Sequence, residues 1–128
     1  MKFAYTIIYV PDVQKAVEFY EGAFALTRRF IHESGTYAEM ETGQTALAFA
    51  SNELAQSNFP AGFRPNDPSQ PPAAIEIAFT TEDVPAAYAQ AVKHGAAAIT
   101  APETKPWGQV VAYVRDLNGV LVEIASPM

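Results

Sequence analysis

The amino-acid sequence predicts an α+β fold: two tandem βαβββ modules forming a curved mixed sheet around a concave cup, with the helices on the outer face. Three observations predict it. A β-branched and aromatic stretch followed by an aspartate and an amphipathic run occurs twice, over residues 3–24 and again over 75–95. Each occurrence leads into short apolar stretches punctuated by glycine turns. Between the two lies a segment, 52–72, that carries five of the ten prolines and no sustained periodicity, the composition of a linker.

Residues 3–10, Phe-Ala-Tyr-Thr-Ile-Ile-Tyr-Val, suit a pleated, half-buried surface and form the first expected strand. Asp12 then offers an acceptor to the free N–H groups of a first helical turn, and Val13, Ala16, Val17, Tyr20 and Phe24 recur at helical spacing. A helix is therefore expected over 13–24. Strands are expected near 27–33, 36–42 and 45–51, separated by Ser34-Gly35 and Thr42-Gly43. After the linker the pattern restarts. Ile75–Phe79 reads as a strand, Asp83 caps a helix holding Val84, Ala87, Tyr88 and Ala91, and Gly95 is placed to end it. Strands near 97–100, 109–115 and 120–125 complete the second module, the last two joined by Asp116-Leu117-Asn118-Gly119, a strong hairpin signal. The expected organisation is one domain over 1–128, with modules 1–51 and 73–128.

Composition narrows the function classes. A chain of 128 residues can bury roughly two thirds of its unfolded surface, and 49% hydrophobic against 17% charged residues excludes a disordered class. The net charge of −6, with only eight scattered Lys and Arg, argues against nucleic acid and anionic membranes as partners. The absence of cysteine removes disulfides, thiolate metal sites and thiol nucleophiles. With no apolar run near the ~20 residues of a membrane span, and no secretory leader pattern, a cytoplasmic location is expected.

Side chains on a strand alternate between faces. Thr6, Ile8 and Val10, with Ile77, Phe79 and Thr81, are assigned to the face under the helices, as are Leu47 and Phe49 with Val122 and Ile124. The opposite face receives Tyr5, Ile7 and Tyr9, with Glu76, Ala78 and Thr80, and Ala46, Ala48 and Ala50 with Leu121, Glu123 and Ala125. Overlaying the modules on Asp12 and Asp83 pairs Tyr5 with Glu76, and overlaying the closing strands pairs Ala48 with Glu123. Glu76 and Glu123 thus fall together on an otherwise apolar face. Two carboxylates placed so require a metal, a shared proton, a basic partner or water. A structural hydrogen-bond pair or a solvated pair is the plain alternative.

With this duplication, the Asp-Val helix starts, and Lys105-Pro106-Trp107-Gly108-Gln109 leading into Val114-Arg115-Asp116-Leu117-Asn118-Gly119-Val120-Leu121-Val122-Glu123, the chain resembles the vicinal oxygen chelate superfamily. That group includes glyoxalase I, fosfomycin-resistance proteins, extradiol dioxygenases and bleomycin-resistance proteins. The resemblance implies metal ligands on the first and last strands of each module, here Tyr5, Ala48, Glu76 and Glu123. Glu123 matches the usual carboxylate, Glu76 stands where histidine is usual, and Ala48 can ligate nothing. The implied metal is divalent, Mn²⁺, Mg²⁺, Zn²⁺ or Ni²⁺, with oxygen donors favouring the harder ions, and no organic cofactor is implied. A homodimer is implied as well.

Two functions follow as expectations. One is a metal-assisted lyase/isomerase or dioxygenase acting on a small molecule with adjacent oxygens, with Glu76 and Glu123 as metal-binding and catalytic residues. The other is a metal-free small-molecule binding protein of the bleomycin-resistance type. Substrate-contacting candidates are Tyr5, Tyr9, His32, Lys105 and Trp107. For each a plain reading stands beside it: Tyr5 and Tyr9 as core aromatics, His32 as a surface histidine, Lys105 as a solvated cation, and Trp107 as packing. His94, at a helix end, is assigned a structural role.

Overall fold

The computed structural model describes all 128 residues. The element order is β1 (Tyr5–Val10), α1 (Val13–Phe24), β2 (Arg28–Ile31), β3 (Tyr37–Met40), β4 (Ala46–Ser51), α2 (Asn52–Asn58), β5 (Glu76–Thr80), α3 (Val84–Lys93), β6 (Ala97–Thr104), β7 (Val110–Arg115) and β8 (Leu121–Ala125). The strands form two four-stranded mixed sheets, β1-β4-β3-β2 and β5-β8-β7-β6. In each, the first strand pairs in parallel with the last, and the remaining pairs are antiparallel. The βαβββ module and its duplication are therefore present, and the two sheets share one topology. The chain divides into two compact units, Met1–Glu21 with Ala25–Pro65, and Gly22–Phe24 with Asn66–Met128.

Each helix starts where its aspartate caps it. Asp12 Oδ1 accepts from the Lys15 backbone N–H at 3.0 Å, and Asp83 Oδ1 accepts from that of Ala86 at 3.1 Å. Helix α1 buries Val13, Ala16, Val17, Tyr20 and Ala23 on one stripe. The Tyr20 ring meets Phe49 of β4 at 5.0 Å between centroids, so the helix lies over the face bearing Ile8, Val10, Leu47, Phe49 and Met40. In the second unit Val84 and Ala91 of α3 are buried with Val114, Val122 and Ile124. Residues paired directly across neighbouring strands share a face. The register therefore leaves Tyr5, Ile7, Tyr37, Glu39 and Ala48 on the helix-free face of the first sheet, and Glu76, Ala78, Tyr113 and Glu123 on that of the second.

Several boundaries differ from those expected. The segment assigned wholly to a linker opens with the two-turn helix α2, whose N-cap is Ser51, with its Oγ accepting from Leu54 N–H at 3.1 Å. Strands β2 and β3 are shorter than expected, and between them a turn closes with the Gly35 N–H donating to the His32 carbonyl at 2.8 Å. Strand β6 runs four residues further, to Thr104, and accommodates Pro102 through register shifts at which the ladder is interrupted.

Candidate functional site

In the second unit a continuous row crosses the helix-free face. Thr100 of β6 lies opposite Tyr113 of β7, Tyr113 opposite Glu123 of β8, and Glu123 opposite Ala78 of β5. Glu76, two residues before Ala78, points the same way and flanks Glu123 diagonally. The Tyr113 hydroxyl donates to Glu123 Oε1 at 3.3 Å. Desolvation, a hydrogen bond to Glu123 and the charge of Glu123 all push the Glu76 pKa upward. The Tyr113 phenol is likewise raised, by desolvation and then by the charges of Glu123 and Glu76. No lysine or arginine forms an ion pair with either acid. Arg115, the arginine on this face, spends its guanidinium on backbone carbonyls, with Nε donating to Gly119 and Nη2 to Gln70, both at 2.8 Å.

The first unit carries the corresponding row with different chemistry. Phe30 of β2 lies opposite Glu39, Glu39 opposite Ala48, and Ala48 opposite Ile7. Glu39 therefore stands at the place of Tyr113, and Ala48 at that of Glu123. Glu39 is only 9% exposed, yet its charge is matched. Arg29 Nη1 donates to Glu39 Oε1 at 2.9 Å, and the Tyr37 hydroxyl donates to Glu39 Oε2 at 2.9 Å. The same guanidinium reaches Glu41 through Nε and Nη2, at 2.9 and 2.8 Å. These bonds hold the Glu41 carboxyl below its ordinary range. Burial, and then the bond to Glu39, raises the Tyr37 pKa to about 12.

The structure brings together two of the residues singled out from the sequence, Glu76 and Glu123, and adds Tyr113, which sequence reasoning missed. Its signal was available: Tyr113 is two residues before Arg115 in a strand assigned correctly, and counting back from the Asp116–Gly119 turn places it opposite Glu123. The remaining candidates lie elsewhere. Tyr5 and Tyr9 are on β1 of the first unit, where the Tyr9 ring meets Phe63 at 5.1 Å and Phe59 at 6.1 Å, and Tyr5 is 51% exposed. His32 is exposed in the turn after β2, where Nδ1 contacts Ser34 Oγ at 2.7 Å and accepts from Ser34 N–H. Lys105 pairs with Glu103 at 3.3 Å. Trp107, at the β6–β7 turn, is 64% exposed and donates from Nε1 to Gln109 Oε1 at 2.9 Å. His94 takes the structural place assigned to it, its Nδ1 contacting the Gln90 carbonyl at 3.0 Å.

With fold and geometry in view, the family follows. The model of the glyoxalase/bleomycin resistance protein/dioxygenase superfamily matches residues 2–124, and the chain belongs to that superfamily. Among solved structures it is similar to a glyoxalase-related enzyme from Fulvimarina pelagi, at 18% identity and a TM-score of 0.83 over 99% of this chain and 88% of that one. A protein of unknown function from Agrobacterium tumefaciens str. C58 superimposes at a TM-score of 0.81 with 22% identity, covering 100% of this chain and 95% of that one. TioX from Micromonospora sp. ML1 gives 0.74 with 18% identity and covers 100% of both chains. These likenesses establish the fold. No curated protein matches the sequence.

The superfamily implies a divalent metal, and the donors present do not fit one. Nowhere do three or more His, Asp or Glu side chains converge as a metal-holding group. Glu76 and Glu123 are two donors where a held ion draws on more, and the third oxygen beside them is a phenol whose pKa is raised, which keeps it protonated. The matching place on β4 is the fully buried methyl of Ala48.

Proposed function

We propose that the chain is a metal-free small-molecule binding protein of its superfamily, with the ligand held on the helix-free face of the second module against Glu76, Tyr113 and Glu123. One observation carries this reading: the protein supplies its two neighbouring carboxylates with neither a basic partner nor enough donors to hold a metal. Partly desolvated like charges side by side cost free energy that a ligand's hydrogen-bond donors or positive charge would recover. The sequence-based alternative, a metal-assisted lyase/isomerase or dioxygenase, has Glu123 in its favour and lacks the further donors.

The experiment is a small-molecule library screened by amide chemical-shift perturbation, beside elemental analysis of the purified protein. Binding is expected to move the amides around Ala78, Tyr113 and Glu123, and Glu123→Gln is expected to weaken it. Stoichiometric metal, with a thermal shift on adding a divalent ion that Glu76→Gln abolishes, would replace this reading with the metal-assisted one.

A further inference from the structure

The turn between β7 and β8 is held by a single residue. The ladder pairs Arg115 with Leu121, and the Asp116 N–H donates to the Val120 carbonyl at 2.9 Å, so Leu117, Asn118 and Gly119 form a three-residue loop. Three successive backbone N–H groups then turn back on Asp116. Those of Asn118 and Val120 donate to its Oδ1 at 2.8 and 2.9 Å, and that of Gly119 donates to its carbonyl at 3.0 Å. Only Gly119 in the loop has a positive φ, the arrangement of a hairpin loop closed by a left-handed glycine. Asp116 is 3% exposed and Asn118 7%, so the loop is closed on its inner side to bulk water.

Asn118 and Gly119 are also the one Asn-Gly pair in the chain, and such a pair carries a reaction of its own. The carboxamide carbon of asparagine can close a five-membered ring with the next backbone nitrogen, and a following glycine puts no Cβ in the way. The first step is loss of the proton on that nitrogen. Here the Gly119 N–H is committed to the Asp116 carbonyl, and the Gly119 carbonyl accepts from Arg115 Nε at 2.8 Å, so the nucleophile is fixed on both sides.

We infer that Asn118 is a covalent modification site gated by this turn, converted to an acid when the turn opens and spared while Asp116 holds it shut. In the open turn the Gly119 amide gives its proton to solvent, and its nitrogen bonds to Asn118 Cγ. The bond from Cγ to Nδ2 breaks, and that nitrogen leaves as ammonia with a proton from water. Water then adds to one carbonyl of the cyclic imide and breaks its bond to the ring nitrogen. Opening on one side leaves aspartate; opening on the other leaves isoaspartate, with the backbone running through the former side chain. The net reaction consumes water, releases ammonia and needs no other reagent. Either product opposes reclosure. Aspartate puts a charge on a side chain that is 7% exposed and two residues from buried Asp116, and isoaspartate lengthens a loop that three hydrogen bonds to one residue had closed. The modification accumulates as a record of time spent open.

The test incubates the full chain in mildly alkaline buffer and in denaturing guanidinium chloride, and quantifies aspartate and isoaspartate at 118 by peptide mapping. Hydrogen exchange of the Gly119 amide is followed in the same buffer on ¹⁵N-labelled protein. Modification is expected to be at least about tenfold slower in buffer than in denaturant, by a factor within about threefold of the Gly119 protection, because both reactions need the same N–H released. Asp116→Ala is expected to raise the rate in buffer by about tenfold or more and to leave the rate in denaturant unchanged. Should that variant not fold by circular dichroism, Arg115→Met frees the Gly119 carbonyl instead and is expected to speed modification and Gly119 exchange by the same factor. Equal rates in buffer and denaturant would overturn the inference. So would modification in buffer faster than the measured opening of Gly119 allows, since the reaction would then run in the closed turn.

Discussion

Arg29 and Ile99 occupy the same bulge of two equivalent sheets, and in the first of them the bulge residue reaches two acids, Glu39 and Glu41, on and beyond the end of the neighbouring strand. The arrangement makes Arg29 a structural residue. Replacing it with methionine keeps much of the aliphatic packing but leaves the carboxylate of Glu39, which is 9% exposed, without its cation and with the Tyr37 hydroxyl still donating to it. Arg29→Met is expected to lower the midpoint of chemical denaturation, and adding Glu39→Leu is expected to restore most of it, because the cost lies in the buried charge left without its cation.

The Glu76–Glu123 pair should leave a signature in the pH dependence of stability. The folded-state pKa of Glu76 is raised, so its contribution is fully present below the ordinary carboxylate value and is lost as pH rises through the raised one. Glu76→Gln is expected to raise the melting temperature at pH 7, with the advantage over wild type shrinking as the solution is acidified. Thermal melts of both proteins between pH 3 and pH 8 check this, and a constant difference across the range would contradict it.

Tyr37 predicts the behaviour at the alkaline end. Its phenol titrates near 10 when unfolded and at about 12 in the fold. The stability it contributes is intact below the first value and disappears as pH climbs through the second. Tyr37→Phe should therefore lose stability less steeply than wild type above pH 10, measured by urea denaturation at successive pH values.

Gly119 closes the β7–β8 turn at φ +87°, and a Cβ there would stand 2.8 Å from Pro68 Cα and 2.6 Å from Arg115 Nη2. The left-handed backbone and the rigid proline act together, so Gly119→Ala is expected to destabilise by about 2–4 kcal/mol. Because Arg115 also ties down the carbonyl of Gln70, the amides of Ser69 and Gln70 should exchange faster in this variant.

Much of this was legible in the sequence, for reasons that differ by element. Helix α1 has the expected bounds because Asp12 caps it and its apolar stripe is continuous. Glu76 and Glu123 emerged from strand parity, which is insensitive to small errors at strand ends. The network around Glu39 was not legible, since it depends on where β2 bulges, and bulges leave no periodic signal in four residues. Helix α2 escaped notice because the prolines that follow it dominate the segment, although Ser51 and Glu53 form the start of a capped turn. The missing donors at Tyr5 and Ala48 were visible from the start. That the first module neutralises its own acid was visible only once Arg29 was placed.

The strand order has a consequence for how the protein is made. In each module the final strand in sequence is an inner strand of the sheet, and β5 has no neighbour other than β8. A ribosome therefore delivers β5, α3, β6 and β7 before the strand that joins them, and the nascent second module waits with two unsatisfied edges. Closure across that sequence separation makes folding slow relative to a helical protein of this size. Until Leu121–Ala125 emerges, the growing chain is most exposed to wrong pairing, and a ribosome pause just before that strand would lengthen the interval in which a chaperone is needed.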